Sequence, residues 1–168
     1  EVVSEESDRY QTIVRPSLRY LDFCIINEIE AGKITGVQVT RPDGTVDDDA
    51  MPLACQKLRE LGVSEWVVIH ARDASYGLDH DGTYYQLGAL DIPRELIKGT
   101  TGAGDAFCTG VLYGAYKGMS LLEAMKLGTA VASCCILEPG ASDGVRSFDD
   151  TMKLYRSYPE PKLIEKKL

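Results

Sequence analysis

Apolar and polar positions alternate between two periods along this chain, and the changes of period mark its elements. Residues 7–21 place Ile13, Val14, Leu18 and Leu21 at helical spacing behind an early Asp8, which predicts a helix that Pro16 bends. Asp22 to Ile26 is a short apolar run of the kind buried in a parallel sheet, and Glu28 to Thr35 returns to helical spacing. The acidic triplet Asp47-Asp48-Asp49 is expected to open a further helix, with Pro52 tolerated in its first turn and Gly62 as its stop. Trp66 to Ile69 is a second buried strand. Ser75–Leu78 and Thr83–Leu87 flank Asp79-His80-Asp81-Gly82, which predicts a β-hairpin. A long apolar helix is expected from Gly104 to about Lys117, and another through Ile136, opened by Ser120 and Glu123 in a capping-box pattern. Strand alternating with helix implies a layered α/β fold. The tail 158–168, with Pro159, Pro161 and a lysine-rich end, is expected to be loosely ordered.

The chemistry concentrates where one of these helices begins. Gly99-Thr100-Thr101-Gly102-Ala103-Gly104-Asp105 packs glycines into a turn that runs straight into apolar sequence. Such a turn brings backbone N–H groups close to a ligand, and the helix start adds unpaired donors and a positive dipole end, a seat for phosphate. Asp105 falls in the first turn, placed to accept a proton. Two other glycine motifs are excluded. A Walker A loop needs Lys-Ser/Thr where Asp105-Ala106 stand, and a dinucleotide fingerprint needs glycine where Phe107 stands. Gly110, Gly114 and Gly118 follow at four-residue intervals. Each interior glycine costs a helix about 1 kcal/mol relative to alanine, so the stripe predicts close packing against a neighbour.

The stretch from Gly99 to Ile136 resembles the second signature of the pfkB/ribokinase family of carbohydrate and nucleoside kinases. Upstream, Ile25-Ile26-Asn27-Glu28-Ile29-Glu30-Ala31 resembles the family's Asn-x-x-Glu motif, with Asn27 at a strand's C-terminal end, where open α/β sheets bind ligands. The resemblance runs from about Val3 to Gly144 and implies a ribokinase-like layered αβα sandwich with a small β-hairpin. Because the chain begins Glu1-Val2-Val3-Ser4, residues 1–157 are expected to be the C-terminal half of a single kinase domain.

The resemblance implies ATP-dependent phosphoryl transfer to a hydroxyl of a sugar or related small alcohol. Asp105 would be the general base and the N–H groups of Gly102, Ala103 and Gly104 the anion hole. Asn27 and Glu30 would organise Mg²⁺ mostly through water, and Gly77, Thr101, Gly104, Thr129 and Gly140 would line the nucleotide together with Asn27. Ser142 to Val145 would complete that loop. Adenosine or another nucleoside is an alternative acceptor, and a non-catalytic kinase-like binding module is an alternative role. Three departures matter. Gly99 replaces a carboxylate tied to monovalent-cation binding, which weakens the expectation of that cation. His70-Ala71-Arg72 replaces a Thr-x-Gly, with a longer loop before Gly77. Thr129 stands for an asparagine. A homodimer through the other half of the domain is a further expectation of the resemblance.

Composition narrows the partners. A net charge of −8 over 168 residues argues against nucleic acid and offers no basic face for a membrane. The five cysteines lack the paired spacing of a zinc site and sit in apolar sequence, which predicts reduced, buried thiols in a cytoplasmic protein.

Overall fold

The computed structural model describes residues 8–168. The predicted first helix therefore starts outside the described residues at Ser7. From there it is a composite: a π turn at Tyr10–Val14, a short α turn (α1, Arg15–Ser17) and a 3₁₀ turn at Leu18–Tyr20. Pro16 explains the break. It has no N–H to give the carbonyl four residues back, and its ring crowds that carbonyl, so the turn before it widens. The wider turn shows directly in the bond from Arg15 N to Tyr10 O.

The remaining elements are β1 (Phe23–Asn27), α2 (Glu28–Thr35), α3 (Met51–Glu60), β2 (Trp66–His70), β3 (Ala74–Leu78), β4 (Thr83–Gly88), α4 (Ala103–Tyr116), α5 (Leu121–Ile136), α6 (Phe148–Arg156) and β5 (Leu163–Lys167). The five strands form one sheet in the order β1-β2-β3-β4-β5. The chain divides into two compact units. One holds the chain through Ala71 with Tyr76–Tyr85 and Glu165–Leu168, and the other holds Arg72–Ser75 and Gln86–Ile164.

In the first unit β1 and β2 pair in parallel, in a register that sets Phe23 beside Trp66 and Asn27 beside His70. Helix α3 buries Met51, Ala54, Cys55 and Leu58, the i, i+3, i+4, i+7 stripe of a core-facing helix. Full burial of Leu58 alone is worth about 1.5–3 kcal/mol. Pro52 lies in the first turn as expected, but the acidic triplet does not open the helix: Ala50 is the N-cap and no acid stands in the first turn. Short carboxylates compete with the helix for local donors, and here they are spent before it begins. Asp47 accepts from Asp49 N and pairs with Arg41 at 2.8 Å, while Asp48 accepts the Tyr76 hydroxyl at 2.6 Å. Burial, with that bond second, pushes the Tyr76 phenol far up, so it stays a donor. The predicted hairpin is present as β3 and β4. Its turn is closed by Gly82 N to Asp79 O and by Thr83 N to Asp79 Oδ1, with Gly82 at φ +80°.

In the second unit α4 and α5 approach closely along their glycines. A Cβ on Gly110 would lie 2.7 Å from Gly128 Cα, and one on Gly114 would lie 2.7 Å from Ala124 Cβ. The glycine stripe is therefore a packing surface, except at Gly118. That residue lies past the helix end at φ +71° with open space around it, and it terminates α4. Helix α5 opens with the predicted capping box: Glu123 N donates to Ser120 Oγ, and Glu123 Oε2 accepts from Ser120 N at 2.9 Å. Helix α6 is capped by Ser147 and buries Tyr155 beside Leu90, Ile92 and Ala130.

The loose tail expected from Tyr158 is in fact an edge strand. Gly88 N donates to Lys162 O, Leu168 N donates to Gly82 O, and Lys167 Nζ reaches Asp81 O and Thr83 Oγ1. None of the five cysteines forms a disulfide; four are buried and Cys108 is half-buried. Among the described residues no helix is long and apolar enough to cross a membrane.

Candidate active site

Asn27 and Glu30 belong to the first unit, and the structure gives them a local task. Glu30 N donates to Asn27 Oδ1 at 2.8 Å and Asn27 N donates to Glu30 Oε2 at 3.1 Å, a reciprocal capping box at the head of α2. Asn followed by Glu three residues on is itself a sequence signal for such a box, and it coincides with the motif that the kinase resemblance assigns to magnesium. The cap uses Asn27's only side-chain acceptor and one carboxylate oxygen of Glu30. That donor set fits Mg²⁺ held through water at the second oxygen of Glu30, because magnesium keeps most of its own water. Among the described residues no three His, Cys, Asp or Glu side chains are grouped to ligate a metal directly. Gly77 is buried within β3, in the extended segment expected there. Arg72 is exposed, 3.9 Å from an equally exposed Asp73.

The glycine-rich turn belongs to the second unit. Gly102 is the N-cap of α4 at φ +81°, a conformation that strains any other residue. A Cβ there would also stand 2.8 Å from the Ala141 methyl. Ala103 N donates back to Thr100 O at 3.2 Å, and Ala106 N donates to Gly102 O. The N–H groups of Gly102, Gly104 and Asp105 find no acceptor among the described residues. These three donors lie at the positive end of a fourteen-residue helix. The Asp105 side chain is exposed in that first turn.

The turn is tied to the loop that leaves α5. Lys98 N and Gly99 N both donate to Ile136 O, Lys98 Nζ pairs with Glu138 at 2.9 Å, and a Cβ on Gly99 would lie 3.2 Å from Pro139 O. The Cys135 thiol lies 3.6 Å from Thr101 O and 3.3 Å from Ala141 O. The structure thus brings Thr101, Gly102 and Asp105 together with the Gly140-Ala141 loop. Gly140 is crowded by the Asp143 carboxylate, and Thr129 is buried in the middle of α5. A monovalent cation fits poorly, because Gly99 supplies no carboxylate.

Residues 4–147 match the model of the pfkB family of carbohydrate kinases. The chain belongs to that family. It is 27% identical over 104 residues to the 5-dehydro-2-deoxygluconokinase of Clostridium tetani, covering 61% of this chain and 30% of the relative. It is 53% identical over 77 residues to an uncharacterized sugar kinase of Archaeoglobus fulgidus, covering 43% and 31%. Arabidopsis thaliana ribokinase, solved with ribose and ATP, superposes with a TM-score of 0.69 at 26% identity over 83% of this chain and 42% of that one. The fold is ribokinase-like α/β, and the chain matches about a third of the length of its curated relatives.

Proposed function

We propose that this chain supplies the phosphoryl-transfer half of an ATP-dependent carbohydrate kinase, with a sugar or related small alcohol as acceptor. The observation that carries the reading is the start of α4, where an exposed carboxylate stands beside three backbone donors with no acceptor among the described residues. Phosphoryl transfer asks for a deprotonated hydroxyl, in-line geometry and compensation of phosphate charge. Asp105 takes the acceptor's proton as its oxygen attacks. Gly102 and Gly104 N–H, with that of Asp105 itself, hold the charge that develops on the moving group, and Ala103 N–H joins them when its bond to Thr100 opens. Asn27 and Glu30 would hold hydrated Mg²⁺, whose charge would offset that of the donor phosphates. Thr101, Thr129 and Gly140 line the nucleotide. The named relatives and the ribokinase solved with ribose and ATP support both donor and acceptor class. Five cysteines with no disulfide among them suit a reducing, cytoplasmic setting.

The test is ADP release by the full-length protein with Mg·ATP over a panel of sugars, sugar acids and nucleosides. Acceptor-dependent ADP that falls by about 10²–10⁴ in Asp105→Asn, with ATP affinity kept, is the expected result. Equal turnover in the two proteins would remove Asp105 from the mechanism.

A further inference from the structure

We propose that Cys135 is a positioning residue for this reaction: its thiol aims the Gly102 N–H by holding the other end of the same peptide unit. The proposal rests on the kinase reading above. Thr101 C=O and Gly102 N–H belong to one peptide plane, and in a trans peptide they point in opposite directions. A bond accepted at Thr101 O therefore fixes where Gly102 N–H points. Cys135 Sγ, in the last turn of α5, lies against that oxygen at 3.6 Å, and it reaches Ala141 O at 3.3 Å from the same position. One S–H proton is shared between two carbonyls, so the thiol couples the glycine turn to the loop proposed to line the nucleotide.

The Ala103 N–H to Thr100 O bond closes the turn across this peptide, and the Cys135 thiol is the side-chain group bonded to the peptide itself. The bonds from Lys98 N and Gly99 N and the Lys98–Glu138 pair hold only the beginning of the turn. On the far side a Cβ on Gly102 would lie 2.8 Å from the Ala141 methyl, so the peptide is packed closely against the same loop that the thiol bonds. The protonation state suits a donor. Burial, and then the negative charge of Asp105, push the Cys135 thiol up, so the proton stays on sulfur at neutral pH. The residue is 4% exposed, and loss of the thiol leaves two carbonyls without their shared donor.

An anion-hole donor acts on charge that appears in the transition state, so its misalignment lowers kcat and leaves ground-state binding largely intact. In the full-length protein Cys135→Ala is expected to lower kcat about tenfold, with KM for the acceptor within about twofold. Cys135→Ser, which keeps a donor on a shorter arm, recovers most of that loss. The infrared S–H stretch assigned to Cys135, by its disappearance in Cys135→Ser, falls at the frequency of a hydrogen-bonded thiol. A Cys135→Ala enzyme with wild-type kcat, or losses of equal size in the alanine and serine variants, overturns the proposal. If the wild type turns over no acceptor, the kinase reading fails by itself, and the S–H band still decides the clamp: a free-thiol frequency refutes it and a bonded one sustains it.

Discussion

At Glu30 one carboxylate oxygen closes the capping box of α2, and the proposed function gives the other to a hydrated cation, so two substitutions separate the two tasks. Glutamine also serves in a capping box. Glu30→Gln should therefore leave the thermal midpoint of the full-length protein within about a degree while raising the Mg²⁺ concentration needed for half-maximal ADP release, about threefold or more. Glu30→Ala also removes the carboxylate half of the box, while Asn27 Oδ1 still accepts from the backbone N–H of residue 30, so it should cost about 0.5 kcal/mol of stability in urea unfolding, the low end for a capping bond. If Glu30→Gln shows an unchanged magnesium requirement, the carboxylate is a cap and nothing more. Gly102 tests the turn in the same way. Alanine at φ +81° loses roughly 1–2 kcal/mol to backbone strain and also meets the Ala141 methyl 2.8 Å away, so the turn must shift to admit it. Gly102→Ala should lower kcat at least as far as Cys135→Ala, because it moves the same N–H by a direct route. Wild-type kcat in a folded Gly102→Ala protein would take that N–H out of the mechanism.

Between elements, the contact of α4 with α5 sets two glycine effects against each other. Alanine in place of Gly110 or Gly128 gains about 1 kcal/mol of helix propensity. The added methyl at 110 would lie 2.7 Å from Gly128 Cα, and at 128 it would lie 2.8 Å from Val111 Cγ2 and 2.9 Å from Phe107 O. Overpacking against backbone costs about 1–3 kcal/mol and these neighbours are not flexible tips, so the steric term wins. Both variants should unfold at lower denaturant than wild type, and a stabilised Gly128→Ala would show that the helices are farther apart. This stripe was legible in the sequence because repeated glycine inside an apolar helix is costly unless a neighbouring backbone must come close. The α5 capping box and the β3–β4 hairpin were legible because their signals are local. The elements that were not legible depend on what their residues do elsewhere. Asp48 leaves the helix start to bind Tyr76, twenty-eight residues away, and Pro16 splits one predicted helix into three kinds of turn. The candidate site divides likewise. The glycine turn and Asp105 announce themselves, Asn27 and Glu30 carry two meanings in one pattern, and Cys135 acquires its place only when Thr101 arrives from thirty-four residues up the chain.

At the scale of the whole chain, the last strand closes the described sheet, and its composition explains why it does not read as a strand. Leu163-Ile164-Glu165-Lys166-Lys167 has only two apolar residues, follows two prolines, and is exposed along its whole length. Exposed lysines on a terminal strand discourage further pairing, which is how natural sheets protect their edges. Without β5 the edge would pass to β4, whose Thr83-Tyr84-Tyr85-Gln86-Leu87 is aromatic, uncharged and suited to β pairing. The strand itself adds little apolar burial. What deletion removes is the main-chain pairing of β5 with β4, the flanking bonds at Gly88 and Gly82, the Lys167 bonds to Asp81 and Thr83, and the Lys166 ammonium 5.2 Å over the Tyr84 ring. Net hydrogen bonds contribute about 0.5–1.5 kcal/mol each, and the exposed side-chain ones fall at the low end. At about 2–4 °C per kcal/mol for a domain of this size, a protein ending at Pro161 should melt about 3–6 °C lower. Its light scattering on heating should also begin earlier and grow with concentration, because the uncovered β4 edge pairs between molecules. A truncated protein with an unchanged midpoint and unchanged scattering would mean that β5 neither stabilises nor protects the sheet. Replacing Lys166 and Lys167 by threonine in the full-length chain isolates the second effect: the strand's main-chain bonds remain, so scattering should rise while the midpoint stays close to that of the wild type.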